Sequence, residues 1–227
     1  MMLRHLFGAN ATAETMIDAI ARDAQETGAL TGRPVFAEAV METMRTVPRP
    51  AFVPEGEKAS AWENRPLPIG HGQTISQPYI VALMSELLDV EPDARILEVG
   101  TGCGYQTAVL CALGAVVYSV EVVEPLAMAA ALRLAELGYA RATVRAGDGR
   151  GGWPEHAPYD GIIVTAAAPS VPPALVDQLK PGASLLIPVG RAAATQSLQR
   201  IRKYHDGSRE TTTVLPVAFV PLTGGRG

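Results

Sequence analysis

The sequence predicts an α/β fold: a doubly wound, mostly parallel seven-stranded sheet with a C-terminal antiparallel hairpin and an N-terminal helical addition. Three observations predict it. From residue 93 onward, short apolar runs alternate with helical runs, and that alternation calls for a parallel sheet covered on both faces. The first of these runs, Ile96-Leu97-Glu98-Val99, leads into Gly100-Thr101-Gly102-Cys103-Gly104 and then a helical run, the strand-turn-helix unit of a Rossmann-like sheet. Near the end, residues 196–205 and 211–220 are β-like runs joined by a turn at His205-Asp206-Gly207, which reads as a hairpin.

The elements follow in order. Met16, Ile17, Ile20 and Ala24 recur at helical spacing and predict a helix over 12–27, broken by Gly28 and Gly32-Arg33-Pro34. Val35, Ala39, Val40 and Met44 predict a second over 35–46, stopped by Val47-Pro48. Residues 48–72 are rich in proline and glycine and predict a long irregular segment. Phe52, Trp62, Leu67 and Ile69 give it apolar anchors, so an ordered, functional segment is expected. A helix over 77–90 carries Pro78 in its first turn, with Ser76 and Thr74 as N-cap candidates. Strands are expected at 95–99, 115–121, 142–146, 159–165 and 183–189, and helices at 104–113, 123–137 and 172–179. Residues 1–92 are read as helices and a covering loop packed on an α/β core of residues 93–227, the whole forming one compact domain.

Composition narrows the function. The 227 residues are 48% hydrophobic and 19% charged, with a formal net charge of −4, as in a folded globular chain. The longest basic stretch is Arg200-Ile201-Arg202-Lys203, too little to neutralise phosphates, so nucleic acid is not expected as a partner. Cys103 and Cys111 form neither a C-x-x-C pair nor a disulfide framework, and His5, His71, His156 and His205 are scattered. No metal site is expected. Met1 to Phe7 lacks a sustained apolar stretch, and no apolar run reaches the ~18 residues of a membrane span. A cytoplasmic monomer with no membrane attachment is the expectation.

The glycine run carries the cofactor signal. A dinucleotide fingerprint needs a third glycine at position 105, which is tyrosine. G-x-G-x-G preceded by an acid instead resembles the S-adenosyl-L-methionine (AdoMet) loop of class I methyltransferases. Glu98, Gly100, Thr101, Gly102, Cys103 and Gly104 are therefore the first cofactor-binding candidates. The helix N-terminus behind them would face the methionine carboxylate. Glu121 ends the second core strand, 21 residues after Gly100, the distance at which an acid grips ribose hydroxyls. Asp148, followed by Gly149, ends the third and could accept from the adenine amino group.

The acceptor comes from a wider resemblance. Gly72-Gln73-Thr74-Ile75-Ser76-Gln77-Pro78, Val47-Pro48-Arg49-Pro50-Ala51-Phe52-Val53-Pro54, Gly149-Arg150-Gly151-Gly152-Trp153, Asp160 to Pro169 and Val217 to Leu222 are similar, in that order, to motifs of the protein-L-isoaspartate (D-aspartate) O-methyltransferases. The resemblance implies that AdoMet methylates the α-carboxylate of an isoaspartyl residue in damaged proteins and peptides, beginning repair through a succinimide. It implies Ser76 as the catalytic residue beside the reacting carboxylate. It also implies substrate contacts at Thr74, Ile75, Thr165, Ala166, Ala167, Val217 and Phe219, and a covering role for helix 12–27. Cys103 stands where the family commonly has serine or another small residue; its thiol is a weak donor, so the hydroxyl bond that a serine would give the cofactor is not expected. A carboxylate with a pKa of about 4 is already ionised at neutral pH, so the reaction needs no general base. Two alternatives share the cofactor residues: a peptide-tailoring carboxylate methyltransferase and a non-catalytic AdoMet-binding adaptor.

Overall fold

The computed structural model describes residues 11–191 and 194–224. Helix α1 spans Ala13–Thr31, opened by a capping box between Thr12 and Thr15 and closed by Gly32 in a left-handed conformation. It runs straight through Gly28, which the sequence marks as a break. A Cβ there would lie 2.6 Å from Pro34 Cβ, so glycine serves a close approach inside the helix rather than its end. Helix α2 spans Glu38–Thr46. Two 3-10 turns, Arg49–Phe52 and Glu55–Ser60, lead to strands β1, Leu67–Gly70, and β2, Gln73–Ile75. These two pair as an antiparallel hairpin, Leu67 against Ile75. The expected irregular segment thus ends in regular structure. Helix α3 spans Pro78–Leu88 with Gln77 at its N-cap and no side-chain cap; neither Ser76 nor Thr74 caps it.

The core follows the predicted alternation: β3 Arg95–Val99, α4 Tyr105–Ala112, β4 Val116–Glu121, α5 Glu124–Glu136, β5 Ala142–Ala146, β6 Tyr159–Val164, α6 Pro173–Asp177, β7 Leu179–Val189, β8 Gln196–Lys203 and β9 Arg209–Val217. The seven-stranded sheet has the order β5-β4-β3-β6-β7-β8-β9. Its first five strands are parallel, and β8 and β9 add antiparallel at the edge. The chain winds outward from β3 in one direction through β4 and β5, then returns to β6 on β3's other side. The crevice at the carboxyl ends of β3 and β6 is therefore the switch point where such sheets bind ligands.

One continuous hydrophobic cluster joins the N-terminal helices to the sheet, from Met16, Ile20 and Met44 through Leu83 and Tyr105 to Ile163 and Leu198. Burial at roughly 25 cal/mol per Å² makes this shared cluster the main fixative of α1–α3 on the core. A second cluster, with Leu97, Ile162, Leu175 and Leu185, fills the opposite face. After β9 the chain is pinned beside β6: Ala167 donates to Val220 O at 2.8 Å and Leu222 donates to Ala167 O at 2.7 Å. The last expected strand, 211–220, thus stops at Val217, and residues 218–222 close over the sheet's carboxyl edge.

Candidate active site

Two cavities meet at that edge. The first is lined by the glycine turn, Gly100 to Cys103, with Tyr105, Gln106, Glu121, Gly149, Thr165 and Ala166, and by Thr74, Ile75 and Ser76 of the hairpin. The second, of 590 Å³, is lined by α1, by Tyr79 and Ile80 of α3, and by Leu215 to Val220. Thr74, Ser76, Thr165 and Val220 belong to both walls. Ser76 is half-buried, and its hydroxyl has no hydrogen-bond partner among the described residues. Among the described residues, it and the Thr74 hydroxyl are polar groups left free where the two spaces join.

The turn owes its shape to β3 and β6. Gly100, Gly102 and Gly104 all have positive φ, at 99°, 54° and 91°, a region that costs a side chain of L configuration. Gly100 has a second reason, because a Cβ would collide with Thr165 Oγ1. That hydroxyl donates to Gly100 O, and Thr165 N donates to Val99 O at 2.9 Å. Thr165 therefore braces the turn as well as lining both cavities. Gly100→Ala is expected to lower unfolding free energy by about 2 kcal/mol through backbone strain and overpacking. Urea denaturation measures it, and an unchanged midpoint would refute the close-approach argument.

Glu121 is buried to 5% exposure and fixes the turn from the other side. Its Oε2 accepts from Gly102 N at 2.8 Å and its Oε1 from Val123 N at 2.9 Å. Each carboxylate oxygen keeps a second lone pair for a ligand hydroxyl. Arg133 donates to Cys103 O at 2.9 Å. The Cys103 thiol lines the same cavity, and burial pushes its pKa up, so it stays neutral.

Not every candidate reaches the cavity. Glu98 lies wholly inside the core, and its Oε2 accepts from Thr107 Oγ1 and from Ser119 Oγ at 2.7 Å. With the Ser119 proton spent there, the 2.5 Å contact between Thr101 Oγ1 and Ser119 Oγ has Thr101 as donor. Glu98 thus holds the turn from beneath, through Thr101. Burial raises its pKa to about 7, against the two hydroxyl bonds, which lower it.

Asp148 is turned away from the cavity onto Arg150. Its Oδ1 accepts from Arg150 N at 3.0 Å, and its Oδ2 from Arg150 Nη2 at 2.9 Å; only the next residue, Gly149, is in the lining. Gly104 faces Leu134 of α5, 3.2 Å from a would-be Cβ, and serves packing. Ala167 holds the 220–222 segment through its backbone.

Val217 and Phe219 line only the second cavity. Both backbone groups of Phe219 are taken by Gln196, whose Oε1 accepts from Phe219 N at 2.6 Å and whose Nε2 donates to Phe219 O at 3.2 Å. The Phe219 N–H is thus spent on Gln196, while its carbonyl oxygen keeps a second lone pair and its side chain remains for a ligand.

The far wall is α1, the helix for which the resemblance implied a covering role, but none of its wall residues was singled out from the sequence. Asp23, Glu26 and Thr27 of α1 line the second cavity. Asp23 Oδ2 accepts from Asn64 Nδ2 at 2.8 Å, and Asn64 Oδ1 accepts from Tyr79 N at 2.9 Å, tying α1 to the start of α3. Val81, Gln106, Val122 and Thr223 were also missed in the first cavity. Val122 had a local signal in its place directly after the strand-ending Glu121.

This geometry has close relatives. The profile of the family "Protein-L-isoaspartate(D-aspartate) O-methyltransferase (PCMT)" matches residues 29–227. The chain belongs to the PCMT family. A PCMT relative named protein-L-isoaspartate O-methyltransferase 2 from Polaromonas sp. is 54% identical over 93% of this chain and 100% of its own length. Another of that name, from Syntrophobacter fumaroxidans, is 55% identical over 92% of this chain and 85% of its own. Among solved structures, a Plasmodium falciparum protein described as a PCMT, in complex with S-adenosyl-L-homocysteine, superposes with a TM-score of 0.78. It is 24% identical, with 96% of this chain and 100% of that one covered. At that identity the likeness is one of fold.

Proposed function

We propose that the protein is a protein-L-isoaspartate O-methyltransferase, moving a methyl group from AdoMet to the α-carboxylate of isoaspartyl residues in proteins and peptides. The observation that carries the site assignment is the pair of cavities sharing Thr74, Ser76, Thr165 and Val220. A sulfonium in the first and a carboxylate in the second would meet at Ser76. Membership of the PCMT family and relatives above 50% identity support the substrate class.

Each residue has a task in this reading. Glu121 accepts the ribose hydroxyls while holding Gly102. The turn at residues 100–104 and the start of α4 receive the methionine part, and Gly149 allows the adenosine to lie close. AdoMet supplies the electrophilic methyl. The protein supplies alignment, worth several orders of magnitude when nucleophile, methyl carbon and sulfur are held in line. Anion and sulfonium give a neutral ester, so a dry junction favours transfer. Ser76 orients the carboxylate with one hydroxyl and leaves its other lone pairs nucleophilic. Of the described residues, 11–92 act as the covering part on the core that begins at residue 93, with α1 forming the outer wall of the peptide cavity.

The reading extends to a cytoplasmic monomer acting on protein rather than nucleic acid. The net charge of −4 supports the last point, and among the described residues no helix is long and apolar enough to cross a membrane. Light scattering checks the monomer against 23.9 kDa.

The test pairs an isoaspartyl peptide with its aspartyl twin and labelled AdoMet. Methyl is expected on the isoaspartyl peptide alone; label on both or neither would overturn the assignment. Ser76→Ala is expected to lower kcat about a hundredfold with AdoMet affinity within twofold. An equal loss in both quantities would move Ser76 from the acceptor to the cofactor.

A further inference from the structure

Among the described residues, Arg49 is the largest fully buried side chain, with no solvent exposure. Nε donates to Ala61 O at 2.8 Å and Nη2 to Arg65 O at 3.3 Å, while Nη1 has no partner. Among the described residues no carboxylate pairs with this guanidinium; the charged or polarisable groups acting on it are Tyr105 and Cys103. Its Cζ sits 5.0 Å from the centroid of the Tyr105 ring. Tyr105 and Cys103 both line the first cavity, and the Tyr105 hydroxyl, buried without a hydrogen bond of good geometry, faces this same guanidinium.

A buried, unpaired cation is costly, and a protein retains one where something compensates it. Tyr105 is the first residue of α4, whose N-cap is Gly104 and which has no side-chain cap. The positive end of that helix therefore faces the cavity at the same place. Two sources of positive potential converge there; Glu121 is engaged by Gly102 N and Val123 N at the other side of the turn, and among the described residues no carboxylate pairs with Arg49. We infer that Arg49 is a positioning residue whose buried charge, acting across Tyr105, holds the carboxylate of the cofactor's amino-acid moiety at the start of α4. This rests on the reading of the first cavity as the AdoMet site and deepens it. The cofactor brings the counter-charge that the fold leaves out, so Arg49 selects nucleosides bearing an amino-acid carboxylate over those without one. Through its bonds to Ala61 O and Arg65 O it also ties that subsite to the segment leading into the hairpin that carries Ser76.

The test compares S-adenosyl-L-homocysteine with 5′-methylthioadenosine, which keeps the adenosine and sulfur and lacks the amino acid. Calorimetric dissociation constants for both are measured on the wild type, Arg49→Gln and Arg49→Lys. In the glutamine variant, homocysteine-nucleoside affinity is expected to fall about tenfold, with methylthioadenosine changed less than twofold. The lysine variant keeps the charge, loses the guanidinium's bonding geometry, and is expected to retain most of the wild-type affinity ratio. Equal weakening of both ligands, no change in either, or a ratio lost as fully with lysine as with glutamine would overturn the inference. Arg49→Met, which packs a similar stem against Tyr105 without charge, repeats the neutral arm where the glutamine variant fails to fold. A wild type that binds neither nucleoside would instead sink the cofactor reading, and this inference with it.

Discussion

Replacing Glu121 with alanine is expected to weaken AdoMet binding by at least about a hundredfold. Two losses add. The first, on the proposed cofactor reading, is the acceptor for the ribose hydroxyls, and hydrogen bonds to a charged group contribute about 1.5–3 kcal/mol each. The second is internal: Gly102 N and Val123 N both lose their acceptor. Gly102 sits in the turn at a φ of 54° and needs that acceptor to hold its N–H in place. Thermal stability should therefore fall with affinity, by about 1–3 kcal/mol for the unsatisfied donors. Glu121→Gln is expected to do no better than alanine. Its NH2 group would face one of the two N–H donors, leaving one oxygen for four hydrogens. Calorimetry with S-adenosyl-L-homocysteine and urea unfolding on the same variants measure both effects. A glutamine variant that binds like the wild type would show that the carboxylate's charge and second acceptor are not used.

The other large effect concerns pH and Glu98. Its pKa in the folded protein is about 7, against an ordinary value of 4.5. Burial is the first cause, and Oε1 has no partner to share the charge. Between these two values the folded state holds a proton that the unfolded chain has released. Stability from this group is thus complete below pH 4.5 and lost as pH rises through 7. The full difference is about 3 kcal/mol. Glu98→Gln keeps an oxygen for Thr107 and Ser119 and cannot ionise. The stability of the wild type minus that of the variant should therefore fall by about 3 kcal/mol between pH 4.5 and 8. Urea titrations across that range decide it, and parallel pH curves would contradict the argument. Since Thr101 reaches Glu98 through Ser119, the glycine turn is mounted on the group that titrates.

Several elements were legible because their signal is local. Strands β3 and β5 fall at the expected 95–99 and 142–146, since short apolar runs between breakers leave little freedom. That the glycine turn and Glu121 meet at one cavity was legible because both sit at ends of neighbouring core strands. What escaped depends on contacts distant in sequence. Asp23 and Phe219 meet across one cavity from opposite ends of the chain, and no spacing encodes that. Strands β1 and β2 hid behind Pro66, Pro68, Gly70 and Gly72, although the alternating burial of Leu67, Pro68, Ile69 and Gly70 is present as an apolar alternation. That Glu98 lies in the core was not legible, because a strand buried on both faces gives no cue about which face an acid takes. Nor was the pairing of Asp148 with Arg150, two residues away, which draws its carboxylate off the cavity lining.

The hairpin that carries Thr74 and Ser76 is a wall of both cavities. Whatever free energy one ligand gains or loses by adjusting that wall is felt by the other, and by the same amount in return. On the proposed assignment of the two cavities, occupancy of the nucleoside side and occupancy of the peptide side are therefore linked variables. The exchange of spent cofactor for fresh and the capture of a damaged peptide form one coupled cycle, with the hairpin as its shared coordinate.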